Sequence, residues 1–576
     1  MKRWGLVGLM AMVVCAPENT ANPKAQGGVC PGITAGALED RPRARGAVPV
    51  GQDADGRESF IVRYRDDEVS AASRVHLLGG RVTATYRSVP AVAARLTEQE
   101  RGELARDPQV ESIEPDQVWH SLAPSRLPAL AVAGTAARGS VSGEYTEGVR
   151  RVQANEVWDV DGDGLPDPGR ATGRGVRVCI IDSGLDLQHP ELRDAVVAKR
   201  DFLDGDDVPS DGNPGAWGSG HGTHVAGIVA ARPGAGGKGG SELVAGRGLM
   251  GVAPDAELVI ARVLDEDGLT QMSVVLEALE YCAGQGARVA SLSLGGGVAS
   301  RTTLQAFRSA YEDGMLVVAA SGNDGDNLVT YPASDPSVLA VGAVDAHDRR
   351  ANFSSGGGEL ALVAPGVDVL STFPTGLGTF STLDVRDMQP LSRSLLYGPP
   401  GTQQQPLVDC GRAETMDSCV GSTCSGFIAY VRPGRVYIEK AMVNVMKQGA
   451  TGVIFGNEVV DGGVDILSLP PQGHWVPAIS VNQASGTVLS RMLGHPVRLK
   501  VETTDYAYMS GTSMATPHVS AVAALLFSAR PSSTPHEVRT AMLTTALDLG
   551  PKGYDVGYGH GLVQAKKALD ALSQLP

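Results

Sequence analysis

Four short segments of the 576-residue sequence hold side chains that, brought together, could carry a nucleophilic reaction. Asp182 closes the apolar run Val176-Arg177-Val178-Cys179-Ile180-Ile181 and leads into Ser183-Gly184; a carboxylate leaving a buried strand is held rigidly and can orient an imidazole. His221 stands in Gly220-His221-Gly222-Thr223-His224-Val225-Ala226-Gly227, where glycines permit close backbone approach ahead of a small-residue helix. Ser513 stands in Ser510-Gly511-Thr512-Ser513-Met514-Ala515-Thr516-Pro517-His518, just before Val519 to Phe527, which is apolar all round and so a buried helix. Backbone N–H groups and the positive end of the helix dipole near such a serine can stabilise an oxyanion. Asn323, in Ala319-Ala320-Ser321-Gly322-Asn323-Asp324-Gly325, follows another apolar run and can supply a second donor. Taken singly these residues say little: aspartate commonly ends strands, and a lone histidine beside glycines is more often structural.

The elements that must position them are legible as an alternation. Val176–Ile181, Leu258–Val263, Val289–Leu294, Met315–Val318 and Val338–Val341 are short apolar runs separated by helical patterns. Strands buried on both faces and joined through helices indicate a parallel sheet in an α/β fold, with ligand chemistry at the carboxyl ends of the strands. Asp182 and Asn323 fall at such ends.

The four segments together resemble the subtilisin-like serine proteases, whose triad runs in the chain order Asp, His, Ser. The resemblance covers 148–375 and 505–576 as a catalytic domain. It implies that Ser513 is the nucleophile, His221 the general base and then acid, and Asp182 the residue that fixes the histidine tautomer. Asn323 and the Ser513 N–H would form the oxyanion hole, with no cofactor needed for catalysis. Ser293, Leu294, Gly295 and Gly296 resemble the family's substrate-binding edge, and Gly268 and Leu269 the opposite edge, so that an extended peptide adds as a strand. His224 and His518 read as packed residues behind the site. A degenerate member used as a binding module would lack a triad residue, and none is missing. Endopeptidase action on polypeptides is the expected function; the alternative is an adhesion or scaffolding protein on a protease fold that binds partners through an inserted protease-associated domain, with turnover incidental.

The flanks extend the resemblance. Ser59–Tyr64, Arg81–Tyr86 and Val110–Glu114 read as strands, and Val69–Leu78 and Glu98–Arg106 as helices, in an α+β module (57–120) similar to the subtilase propeptide, an intramolecular inhibitor. A Pro-, Gly-, Ala- and Arg-rich stretch (23–56) precedes it, and an Ala-, Ser-, Gly- and Arg-rich linker (121–147) follows. Self-cleavage is expected between Trp119 and Val149. His221 and Ser513 lie farther apart than the family's shorter members require, so an insertion is expected at 376–504. Its helix Lys440–Gly449 and strands Thr451–Asn457 and Val476–Val481 resemble a protease-associated domain, a lid-like insertion found in some subtilases.

Charge and leader bound the setting. With 49 basic and 64 acidic side chains the net charge is −15, which disfavours nucleic acid as a partner. Lys2 and Arg3 before the apolar stretch Trp4–Cys15 read as a signal peptide (1–22), too short to span a membrane, and no other run is long enough. Val14 stands where a lipoprotein signal wants a small residue, so secretion is favoured over a lipid anchor at Cys15. The 7 cysteines are too few for a disulfide scaffold; one local bridge among Cys410, Cys419 and Cys424 is plausible, and Cys179 and Cys282 are expected to be buried thiols. Asp159, Asp161, Asp163 and Asp167 take positions 1, 3, 5 and 9 of a calcium-type loop with glycine at 6 and Arg170 at 12. That loop reads either as a structural calcium site or as a solvated acidic turn. Asp186 matches a calcium ligand of the family, but Ala245-Gly246-Arg247 lacks the companion asparagine.

Overall fold

A computed structural model describes residues 30, 51–65, 71–122, 144–213, 219–234, 236, 248–422, 424–457, 464 and 466–574. The signal peptide, Cys15, most of 23–56 and 121–147, and Ala245–Arg247 lie outside them.

The expected parallel sheet is present, with seven strands in the order Leu360–Pro365, Val338–Val344, Leu316–Ala320, Val289–Leu292, Arg177–Asp182, Glu257–Arg262 and Val196–Asp201. Successive side chains of a strand point to opposite faces. Val178 and Ile180 accordingly join one core with the helices His221–Ala230 and Thr512–Ala529, while Cys179 and Ile181 join a second core with Met272–Gly284 and Arg301–Glu312. Burial on both faces accounts for the uninterrupted apolar runs. Connections pass to opposite sides of Arg177–Asp182, so a crevice opens where that strand ends at Asp182.

The described residues of 57–120 form a four-stranded antiparallel sheet in the order Arg81–Thr85, Ala91–Leu96, Glu58–Tyr64, Val110–Pro115, with helices Ala71–Leu77 and Glu98–Leu104. Ala91–Leu96 was not expected. Its Ala-Val-Ala-Ala-Arg-Leu run is buried at all 6 positions, so no polar alternation marks it, and alanine is a weak strand former. A further strand, Val118–Ser121, leaves this module and joins the catalytic domain.

The insertion folds on its own seven-stranded sheet from Gly378–Asp384 to Pro496–Thr504, whose ends pair at Gly378 and Thr504. It is anchored to the catalytic domain. Arg393 makes a two-pronged pair with Asp368 at 2.8 and 2.9 Å, both side chains buried, and Leu396 enters the catalytic core.

The cysteines correct the expectation of thiols. Cys179 and Cys282 are bonded, because the strand carrying one faces the helix carrying the other at a Cα separation of 5.8 Å. Cys410 pairs with Cys419, and Cys424 with distant Cys30. Among the described residues no helix is long and apolar enough to cross a membrane.

Candidate active site

Asp182, His221, Asn323 and Ser513 converge at the crevice, all of them buried. His221 opens its helix behind Gly220, whose φ of 89° suits glycine; a Cβ there would also lie 2.3 Å from the Phe373 ring. The His221 ring nitrogen Nδ1 lies 2.6 Å from Asp182 Oδ1, which also accepts the Ser183 N–H at 2.7 Å. Nδ1 therefore carries the proton and Nε2, which makes no hydrogen bond, is left as the acceptor. Burial pushes the imidazole down, but the Asp182 charge and hydrogen bond outweigh it and, with Asp211 nearby, hold it above the ordinary histidine value.

Ser513 lies in the first turn of Thr512–Ala529. Pro517 has no N–H to give to the carbonyl four residues back, and that carbonyl of Ser513 instead accepts the Ser293 hydroxyl at 2.8 Å. The serine hydroxyl itself donates to the carbonyl oxygens of Leu122 at 2.6 Å and Ser293 at 3.2 Å. Asn323 is held by its oxygen, which accepts the Thr512 N–H and hydroxyl, each at 2.9 Å. Its amide nitrogen is thereby turned to donate to the same Leu122 carbonyl at 2.5 Å.

The six residues expected along the cleft edges flank one strand. Val118–Ser121 pairs antiparallel with Leu294 and Gly295 on one side and with Leu269–Gln271 on the other. Ser121 N–H donates to Gly268 O at 2.8 Å and Leu122 N–H to Ser293 O at 3.1 Å. A Cβ on Gly296 would lie 3.3 Å from Trp119 Cα, tighter than an ordinary contact, so glycine at that edge lets the strand lie close without displacement. Trp119 is fully buried and packs edge-on against Tyr331 at 5.7 Å.

Sequence reasoning passed over two residues here. Asp211 accepts hydrogen bonds from the Ser183 hydroxyl, the Gly220 N–H and both the N–H and hydroxyl of Thr223, at 2.6–2.8 Å. It thus ties the residue after Asp182 to Gly220 just before His221 and to Thr223 two residues after it, although burial pushes its carboxyl up to about 6. Tyr397 of the insertion donates its hydroxyl to Ser219 O at 3.0 Å, on the same loop. No local pattern marks either residue. His224 and His518 are packed as expected: burial drives them down to about 3 and about 4, and His224 Nε2 meets the carbonyls of Val369 and Ala507.

Oxygens of Asp159, Asp161 and Asp163 lie within 4.8 Å of one another. Asp159 is 5% exposed; its Oδ2 accepts from Tyr145 and Gly164, while its Oδ1 is buried with no hydrogen-bond partner. An orphaned buried carboxylate oxygen beside two more carboxylates fits a hard cation. Asp167 stands outside this group and accepts the Val160 N–H at 2.7 Å. Asp186 is taken up by Thr375 and Gln188.

Comparison with known proteins agrees with this architecture. The Subtilase family model matches residues 173–397 and 482–561, the PA domain 403–489, and Peptidase inhibitor I9 66–121. Subtilisin E of Bacillus subtilis (strain 168) is 36% identical over 328 residues, 55% of this chain and 74% of that protein. Thermitase of Thermoactinomyces vulgaris is 36% identical over 241 residues, 42% of this chain and 76% of that protein. The solved psychrophilic subtilisin-like protease Apa1 from the Antarctic psychrotroph Pseudoalteromonas sp. AS-11 aligns at a TM-score of 0.55 and 30% identity, over 74% of this chain and 98% of that one.

Proposed function

The chain belongs to the subtilase family, a serine peptidase with an I9-type propeptide and a PA insertion, and from that premise we propose that it is an exported endopeptidase whose zymogen cuts itself between Leu122 and Ala123. The observation that carries this reading is the Leu122 carbonyl, which ends a strand seated between the two cleft edges and faces both Ser513 Oγ and the Asn323 amide. A peptide carbonyl held so is the electrophile of an acyl transfer.

His221 Nε2 takes the Ser513 proton as Oγ attacks the carbonyl carbon, while Asp182 holds the ring in its productive tautomer and stabilises the imidazolium. The Asn323 amide meets the charge that develops on the carbonyl oxygen. His221 then gives the proton to the leaving amine, and water hydrolyses the acyl-enzyme by the same steps in reverse roles. For protein substrates, recognition is through the main chain, supplemented by a buried site for an aromatic residue at the Trp119 position, three residues before Leu122.

A structural calcium ion at Asp159, Asp161 and Asp163 belongs to the same proposal. It would satisfy Asp159 Oδ1 and relieve repulsion among the carboxylates, and it plays no part in catalysis. Export accords with the apolar leader and with three disulfides among the described residues.

A serine-directed phosphonylating reagent tests the assignment. It is expected to label Ser513 alone and abolish casein hydrolysis in step with labelling. Full hydrolysis after complete labelling, or labelling of another serine in step with loss, overturns it.

A further inference from the structure

One bond joins parts of the chain that the proposed cut would separate. Cys30 precedes the inhibitor module and is bonded to Cys424 of the insertion, at a Cα separation of 5.7 Å across 394 residues of sequence. Cys30 is buried, and its N–H donates at 2.8 Å to the carbonyl of Lys447, the residue that caps the helix Ile438–Met446. Carbonyls at a helix end have no partner within the helix, so this contact fills a vacant bonding position as well as adding a covalent one. The chain runs from this anchor through the module to Leu122 in the cleft, while Cys424 belongs to the chain that carries Ser513.

We propose that the PA insertion is the covalent anchor of the pro-region, so that cutting behind Leu122 yields a disulfide-linked two-chain protein in which the inhibitor stays attached. This rests on the cut proposed above. An untethered fragment is lost on dilution, whereas rebinding of a tethered one is intramolecular, at an effective concentration in the millimolar range. The contacts awaiting it are extensive. Val118–Ser121 pairs on both sides, Trp119 fills its pocket, and Asp116 accepts the N–H and hydroxyl of Ser273 at 2.9 and 2.6 Å. Hydrolysis of one peptide bond therefore leaves the cleft occupied. Release needs a second cut between Cys30 and the module, or thiol exchange. In the exchange a thiolate of a small dithiol attacks Cys424 Sγ and Cys30 leaves as thiolate; the second thiol then closes the reagent into a cyclic disulfide, freeing Cys424 reduced. Cys424 is exposed, while the other two pairs are buried, so this bond is the first within reach.

Two experiments test the anchor. Peptide mapping of unreduced Ser513→Ala zymogen, which requires no self-cleavage, is expected to recover Cys30 and Cys424 in one linked peptide pair; separate recovery overturns the proposal. Processed wild type should run as one band without reductant and two with it. On about thousandfold dilution it should stay suppressed, while the Cys30→Ser/Cys424→Ser variant, or wild type given dithiothreitol, should gain at least about tenfold in activity per molecule. Equal recovery of unreduced wild type and variant overturns the proposal. If wild type does not cut itself, the cleavage reading fails separately, and zymogen nicked within 123–143 by a trace of added protease serves for the dilution test.

Discussion

The Asn323 side-chain amide donates to the Leu122 carbonyl oxygen at 2.5 Å, although 201 residues separate the two. Thr512 fixes the orientation by occupying the other end of the amide, so the donor is in place before any charge develops.

Removing that donor should act on the transition state. Asn323→Ala is expected to lower kcat by about 10²–10³-fold with little change in KM, the scale of loss known from deleting one such donor in a subtilisin. Steady-state kinetics on a small chromogenic peptide checks this, and a loss carried by KM alone would contradict it.

The acidic limb of the pH profile should reflect His221. Its shift is upward from 6.5, and only the neutral ring can accept the serine proton, so kcat/KM should fall as pH drops through a value above 6.5. Asp182 supplies the largest upward influence, so Asp182→Asn should move the limb to lower pH besides slowing turnover. Asp211→Asn should move it less, in the same direction. A limb that stays put in both variants would mean another group is being titrated.

Calcium should raise the melting temperature, because a bound ion stabilises only the folded loop. At a hundredfold excess over Kd the gain is about 2.7 kcal/mol. Asp161→Asn/Asp163→Asn should abolish most of the response, while peptide turnover at about 25 °C should be unaltered. An intact response in that variant would place the ion elsewhere.

The insertion should gate access to the cleft. Gly378 and Thr504 are paired, so a short Gly/Ser link can replace 379–503. Turnover of a small peptide should persist while the rate on folded proteins rises, because the insertion is no longer held through Tyr397 to the Ser219 carbonyl ahead of His221. Loss of Arg393 leaves buried Asp368 unpaired, so Asp368→Asn belongs in the same variant. Equal loss on both substrates in a folded variant would make the insertion a brace.

What could be read from the sequence followed physical range. Val176–Ile181 and Val338–Val341 were legible because a strand buried on both faces must be apolar throughout, and Asp182 because chemistry gathers at strand ends. The Cys179–Cys282 bond was not, since a cysteine facing a helix across a core has the same pattern whether bonded or free. Cys30 and Cys424 lie 394 residues apart, and Asp211 acts through Ser183, Gly220 and Thr223, so neither leaves a periodic trace. The proposed cut behind Leu122 rests on a contact with Ser513 across 391 residues, which likewise has no local pattern.

Intact-mass measurement of wild type and Ser513→Ala, both made in a protease-deficient host, tests the central claim most directly. Wild type should yield a catalytic chain beginning at Ala123 after reduction, and Ser513→Ala should remain uncut after its leader is removed. Cleavage of Ser513→Ala behind Leu122 in that host, or a wild-type chain cut only at other bonds, would contradict the account.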